Sequence, residues 1–177
     1  MITGNSGKLL AAQDAFKPFG ITVKQISNGY PEIQAKSCIE VAKYTALEAV
    51  KEFSAPVIRE DHSLFIHALG GFPGPYTNYF DKTISAELLL KMLSGFQDRS
   101  AHMELAAALA VPGNEVFEFV YSVPLKISQN IKGSVRNWDR VLMLEDGDKT
   151  FAEGSESSRV GVWEKNYIGI AKKLLEL

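Results

Sequence analysis

With a single cysteine, Cys38, in 177 residues, this chain has no intrachain disulfide and no multi-cysteine metal site, which suits a reducing compartment. Histidine is nearly as scarce. His62, His67 and His102 lack the closely spaced partners of a zinc site, so structural or surface roles are expected of them. Neither sign of charge dominates: 19 basic and 21 acidic residues leave a formal net charge of −2, without the basic stripe typical of nucleic-acid domains. No apolar run approaches the roughly 20 residues of a membrane span. Met1-Ile2-Thr3-Gly4 has neither a charged leader nor a signal-peptide core. The expectation is a soluble, cytoplasmic, unexported chain that handles small molecules. Its length fits one domain, residues 1–177, with no repeat, low-complexity tract or linker.

Periodicity predicts an α/β fold with a mixed central sheet. Lys8–Phe16 reads as a helix with Leu9, Ala12 and Phe16 on one face, ended by Pro18 and Gly20. Ile21–Ile26 alternates as a strand. Ser37–Phe53 is the clearest helix, with Ile39, Ala42, Ala46, Ala49, Val50 and Phe53 at helical spacing and a Ser37…Glu40 capping box. Ala55–Arg59 is the next strand and Ser85–Leu93 the next helix. Ala101–Val111 is alanine-rich, which favours helix, but its position between turn signals tips the reading to strand. Val116–Val123 reads as a strand, Val141–Thr150 as a hairpin around Asp146-Gly147, and Tyr167–Leu175 as a helix.

The chemistry concentrates in two places. Glu60-Asp61-His62-Ser63-Leu64 puts two adjacent carboxylates at the end of the strand, shortly before the turn-rich Gly70-Gly71-Phe72-Pro73-Gly74-Pro75; metal-dependent chemistry is often built there. A carboxylate ending a buried strand is costly to desolvate unless it meets a cation or donors, which favours a functional Asp61. Glu60 should point the other way, to solvent or to a neighbour it supports. Thr3-Gly4-Asn5-Ser6-Gly7-Lys8 supplies hydroxyl, amide, free backbone N–H groups and a cation ahead of a helix, the outline of a phosphate cradle. It is not a Walker A loop, because Ile2 and Leu9 occupy positions that loop reserves for glycine and for Ser or Thr. An ordinary turn with a solvated Lys8 stays open, as does plain capping for Glu40. Ser157-Ser158-Arg159 reads on composition as loop.

Taken in order, TGNSGK at Thr3–Lys8, YPEIQ at Tyr30–Gln34, Glu40, EDHSLFIHALGGFPGPY at Glu60–Tyr76 and KTFAE at Lys149–Glu153 resemble the inosine triphosphate pyrophosphatase family. Those enzymes hydrolyse non-canonical purine triphosphates such as ITP, dITP and XTP to monophosphate and pyrophosphate. The resemblance implies an elongated two-lobed α/β domain, commonly homodimeric, with a nucleotide cleft between the lobes and Mg²⁺ as cofactor. By the same resemblance Thr3, Gly4, Asn5 and Lys8 hold the triphosphate, Glu40 and Asp61 bind the metal, and Asp61 is also the catalytic base. His62, Trp138, Asp139, Ser158 and Arg159 fall among its substrate-binding positions.

Departures cluster in the second half. Val135-Arg136-Asn137-Trp138-Asp139 stands where the family has Gly-Phe-Gly-Trp-Asp, so the purine-stacking ring is missing, and Arg136 offers a guanidinium plane in its place. Ser157-Ser158-Arg159 replaces Ser-His-Arg, and a stretch bearing a base-contacting lysine is deleted ahead of it, leaving Lys165 as a substitute. His62-Ser63 replaces a small hydroxyl residue and glycine, and Thr45 stands where many members have lysine. Weaker base discrimination is expected. The rival readings are a nucleotide-binding module without efficient hydrolysis and a pyrophosphatase for another modified nucleotide.

Overall fold

The computed structural model describes residues 1–27, 29–113, 115–134, 137–154 and 164–177. The elements are α1 (Ser6–Phe16), α2 (Cys38–Val50), β1 (Val57–Ile66), β2 (Pro73–Gly74), α3 (Thr77–Thr83), α4 (Ala86–Met92), β3 (Ser100–Val111), β4 (Glu115–Ile127), β5 (Leu142–Leu144) and α5 (Lys165–Glu176). The five strands form one sheet in the order β2-β1-β3-β4-β5. The β1–β2 and β4–β5 pairs are antiparallel, and Ile2 makes single parallel bridges with Ile26 and Arg59. This is the expected α/β fold. Among the described residues no helix is long and apolar enough to cross a membrane.

Two compact units can be distinguished, and β1, β3 and β4 contribute to both. The first comprises Met1–Asp61, Leu105–Tyr121 and the described part of Val160–Leu177. Its centre is β3, whose side chains alternate between two apolar clusters. Ala107, Leu109 and Val111 pack with Ala12, Ala15 and Phe16 of α1 and with Tyr167, Ile170 and Ala171 of α5. Ala108 and Ala110 pack with Ala42, Ala46, Ala49 and Val50 of α2. Helices therefore cover both faces of the strand, and small side chains let them approach closely. That close packing overrides the helical propensity of the alanines. Ser37 caps α2 with its hydroxyl and Asn5 caps α1 with its carboxamide; α1 gives way to a short 3₁₀ turn that closes at Gly20.

Several boundaries differ from the sequence reading: β4 runs on to Ile127 where Val123 was expected to end it, and α2 ends at Val50 and not at Phe53. Ile21–Ile26 is not a strand: only Ile26 bridges, to Ile2, because the partner Met1–Thr3 is too short to propagate a ladder. Strand β1 does not stop at Arg59 but runs to Ile66, so Glu60 and Asp61 lie inside it. Leu64, Phe65 and Ile66 resume its apolar pattern beyond the polar stretch, and pairing carries the intervening residues along. The Val141–Thr150 hairpin keeps its turn, through Gly147 N–H to Leu144 C=O at 2.9 Å and the Met143–Thr150 bridge, with Leu142–Leu144 as strand. Helix α3 follows the Gly/Pro loop without a periodic sequence signal.

The second unit comprises His62–Glu104 and the described part of Ser122–Arg159. Here Leu64 and Phe65 of β1 pair with Gly74 and Pro73, and Thr77 Oγ1 accepts the Leu64 N–H at 2.7 Å. Past the end of β1, His67 Nε2 lies 2.9 Å from His102 Nδ1 on β3, and His67 Nδ1 lies 2.8 Å from Ser100 Oγ. The His102 ring stacks on Phe65 at 4.8 Å. Burial, reinforced by the His67 imidazole and opposed by Glu104, holds His102 below the ordinary imidazole range. With the folded-state value depressed, the unfolded chain takes up the proton first. The contribution is thus complete above about pH 6.5 and is lost as pH falls. His102→Asn is expected to shrink the drop in Tm between about pH 7 and about pH 5; a drop as large as the parent's would assign the acid sensitivity to other groups.

Candidate active site

In the first unit, the Thr3–Lys8 segment folds back on itself before entering α1. Thr3 Oγ1 accepts the Asn5 N–H at 3.0 Å, and Asn5 Oδ1 accepts the N–H groups of Gly7 at 2.9 Å and Lys8 at 3.2 Å. A Cβ on residue 7 would sit 3.2 Å from that oxygen, so glycine lets the cap close. The expected supply of free N–H groups is thereby reduced, because Gly7 and Lys8 spend theirs on Asn5. The segment retains the Asn5 amide N–H₂ and the Lys8 ammonium as donors, while the Thr3 hydroxyl donates to the Asn5 carbonyl at 3.5 Å. Gly4 is exposed, with open space where a Cβ would stand.

Lys8 reaches strand β1. Its Nζ lies 3.8 Å from Glu60 Oε2, and the Tyr167 hydroxyl of α5 donates to the same carboxylate oxygen. Glu60 is 3% exposed and so does not face solvent, one of the two roles left open for it. A carboxylate this deep is tolerated because a cation and a hydroxyl meet it. Burial first, and then the adjacent Glu60 charge, pushes the Tyr167 phenol far above its usual range, so this hydroxyl serves as a donor. Asp61 follows Glu60 directly and is half-buried, which places it on the opposite face of the strand. On α2, Glu40 is exposed and accepts the Ser37 hydroxyl at 2.9 Å, while Ser37 Oγ accepts the Glu40 N–H at 3.4 Å. Thr45, one turn on, is buried on the core face of the helix.

The second unit holds His62, Trp138 and Asp139. Trp138 is 1% exposed, with its indole N–H on Ile84 C=O at 2.8 Å and its backbone N–H on Asp81 Oδ1 at 3.0 Å. It anchors the segment as a core residue. Asn137 bridges α3 and α4: its Nδ2 donates to the carbonyls of Asp81 at 2.7 Å and Ile84 at 2.6 Å, and its Oδ1 accepts the Ala86 N–H at 2.7 Å. The Asp139 carbonyl accepts the Ala152 N–H at 2.9 Å. That ties the Trp138–Arg140 turn to the Thr150–Glu153 turn, where Glu153 Oε2 accepts both the N–H and the hydroxyl of Thr150 at 2.9 and 3.1 Å. Gly133, at φ 78°, passes under this turn, and a Cβ there would meet Ala152 Cβ at 2.6 Å. Arg136, Ser158 and Arg159 lie outside the described residues. Lys165 is committed to Tyr121, with Nζ 2.8 Å from the hydroxyl and 4.1 Å from the ring centre.

Among the described residues no group of three or more His, Cys, Asp and Glu side chains is placed to hold a metal ion. Two carboxylates, Glu40 and Asp61, suit a hard cation that completes its shell with phosphate oxygens and water, as Mg²⁺ does. A hollow of about 390 Å³ beside Asp14, Lys17 and Thr22 contains none of the candidate residues. The buried pairing that the sequence did not reveal is that of Glu60 with Tyr167. The desolvation argument applied to Asp61 holds equally for Glu60 and would have demanded a partner for it; nothing in the sequence pointed to a tyrosine 107 residues away.

The Ham1 family model matches residues 1–162. A dITP/XTP pyrophosphatase of Methanopyrus kandleri is 37% identical over 175 residues, covering 98% of this chain and 90% of that protein. A dITP/XTP pyrophosphatase of Thermococcus kodakarensis is 38% identical over 153 residues, covering 86% and 82%. The solved structure of the Staphylococcus aureus Ham1 protein superposes with a TM-score of 0.79 at 24% identity, covering 99% of this chain and 96% of that one, and shows the same fold. The chain belongs to the Ham1 family, as its motifs led us to expect.

Asn137 occupies a position where the family pattern has glycine, and it makes three hydrogen bonds there. Asn137→Gly is therefore expected to destabilise the fold by about 2 kcal/mol, since it strips partners from half-buried backbone groups. Urea denaturation measures this. A change below about 0.5 kcal/mol would mean that water replaces the side chain without loss.

Proposed function

We propose that the chain, acting as one domain over residues 1–177, is a nucleoside-triphosphate pyrophosphatase for non-canonical purine nucleotides, converting ITP, dITP or XTP to the monophosphate and pyrophosphate. One observation carries the reading: Lys8, at the start of the capped helix α1, reaches strand β1, its Nζ 3.8 Å from Glu60, the residue that precedes Asp61. The candidate phosphate-binding cation and the candidate water-activating carboxylate both belong to the first unit. The names of the relatives support the substrate class.

In this reading Thr3, Asn5 and Lys8 bind the triphosphate, with Lys8 offsetting the charge that builds on the departing pyrophosphate. Asp61 accepts the proton of the attacking water as the α,β-anhydride bond breaks. Glu40 and Asp61 would hold Mg²⁺, which supplies charge neutralisation at the phosphate oxygens when bound. Base recognition is assigned to His62, Asp139, Arg136, Ser158 and Arg159, with Trp138 acting through the backbone it anchors. Homodimeric assembly and a cytoplasmic location belong to the same proposal, resting on the resemblance and the composition. A binding module without hydrolysis is disfavoured because it has no use for Asp61.

The test is a panel of triphosphates with Mg²⁺, scored separately for pyrophosphate and orthophosphate. Pyrophosphate from ITP or XTP is expected; orthophosphate alone, or no turnover, would overturn the proposal. Asp61→Asn should lower kcat by about 10²-fold or more, because an amide is neither proton acceptor nor anionic ligand. Glu40→Gln should raise the Mg²⁺ concentration needed for half-maximal rate by about tenfold. Ser37→Ala should instead cost about 1 kcal/mol of stability and raise the Mg²⁺ requirement by clearly less than Glu40→Gln does, since the carboxylate itself stays in place. If Glu40→Gln behaves as Ser37→Ala does, Glu40 is a cap and not a ligand.

A further inference from the structure

Three consecutive residues at the start of α5 reach three neighbouring strands. Lys165 binds the Tyr121 hydroxyl of β4, Asn166 Nδ2 donates to the Leu105 carbonyl of β3 at 2.8 Å, and the Tyr167 hydroxyl donates to Glu60 of β1. Asn166 and Tyr167 are 6% and 1% exposed, so the register of this turn on the sheet is fixed. Its last contact is polar where an apolar one would cover the sheet as well. Tyr167 could pack against Phe16, at 6.4 Å between ring centres, without a hydroxyl. The hydroxyl meets the same oxygen of Glu60 that Lys8 faces.

We propose that Tyr167 is a positioning residue for triphosphate binding: through Glu60 it sets where the Lys8 ammonium waits, and it keeps that carboxylate hydrogen-bonded when Lys8 turns to the phosphates. The proposal rests on the reading of Lys8 as the triphosphate lysine. A lysine carries four rotatable side-chain bonds, and ordering it on binding costs affinity unless it is held beforehand. Glu60 does the holding at 3.8 Å, beyond hydrogen-bond distance, so Lys8 can leave. A buried carboxylate that shares its charge with a second donor grips a lysine less tightly than one the lysine alone neutralises. The tyrosine, neutral and anchored by α5, is such a donor and does not cancel the negative charge.

Tyr167→Phe deletes the hydroxyl and keeps the ring. It is expected to raise KM for ITP about fivefold with kcat within about twofold, and to leave the affinity for IMP unchanged. In a Lys8→Ala background the same change should shift KM by less than about 1.5-fold, because the two act through one carboxylate. A purely structural tyrosine would instead give the same fold-change in both backgrounds, and that result, or an unaltered KM in the Lys8 protein, overturns the proposal. Should Tyr167→Phe fail to fold, Glu60→Gln takes its place, with the same dependence on Lys8 expected and the same additivity overturning it. The functional reading fails differently: Lys8→Ala alone would leave ITP affinity, measured calorimetrically on an Asp61→Asn background, as it was, and the proposal would fall with it.

Discussion

A carboxylate buried in the middle of a sheet strand must be met by the protein, and much of the first unit is organised around meeting Glu60. At 3% exposure it has lost nearly all contact with water, and desolvation on that scale is compensated only by close donors and opposite charge. One comes from α1, through Lys8, and one from α5, through Tyr167. The residues involved are 8, 60 and 167, so the contact joins the beginning, middle and end of the sequence. On α5 the contact to Glu60 follows two other polar contacts to the sheet, from Lys165 and Asn166, and the buried face continues through Ile170 and Ala171.

The packing around β3 makes this arrangement possible. Alanine at 106, 107, 108 and 110 leaves room for α1 and α5 over one face and α2 over the other, all fully buried. Larger side chains would push the helices outward and carry Lys8 and Tyr167 away from β1. The alanines thus determine the spacing of the layers, while the polar residues determine what happens at the first turns of the helices. Capping serves the same end. Asn5 gives its oxygen to α1 and keeps its N–H₂, and Ser37 and Glu40 exchange hydrogen bonds at the start of α2.

In the second unit the departures from the family pattern have structural consequences. Asn137 links α3 and α4 with three hydrogen bonds, beside Trp138, which keeps the family's residue and donates its indole N–H to the Ile84 carbonyl. The conserved-looking Thr-Phe-Ala-Glu turn is stabilised internally by Glu153, whose carboxyl is held below the usual carboxylate range chiefly by the Thr150 N–H. It is further fitted against Gly133, where any side chain would collide with Ala152. This region is therefore tied together by hydrogen bonds, and Asn137, which departs from the family pattern, is one of the residues that ties it.

Local and periodic signals were legible in the sequence: α1 and α2 with their apolar faces, the Ser37 cap of α2, the helices α4 and α5, and the ordered motifs that led to the family. Each depends on neighbours within a turn or two, so spacing alone reveals it. The strand character of the alanine run was legible only in part, because propensity and context pointed opposite ways and packing between helices decided it. The true length of β1 was not legible at all. Its polar centre looks like an ending until Leu64 and Phe65 find partners across the Gly/Pro loop. Whether Glu60 faced water or a partner was likewise decided by the tertiary structure. Strand alternation fixes that neighbouring side chains oppose one another, but which face is buried, and what waits there, depends on a helix more than a hundred residues away.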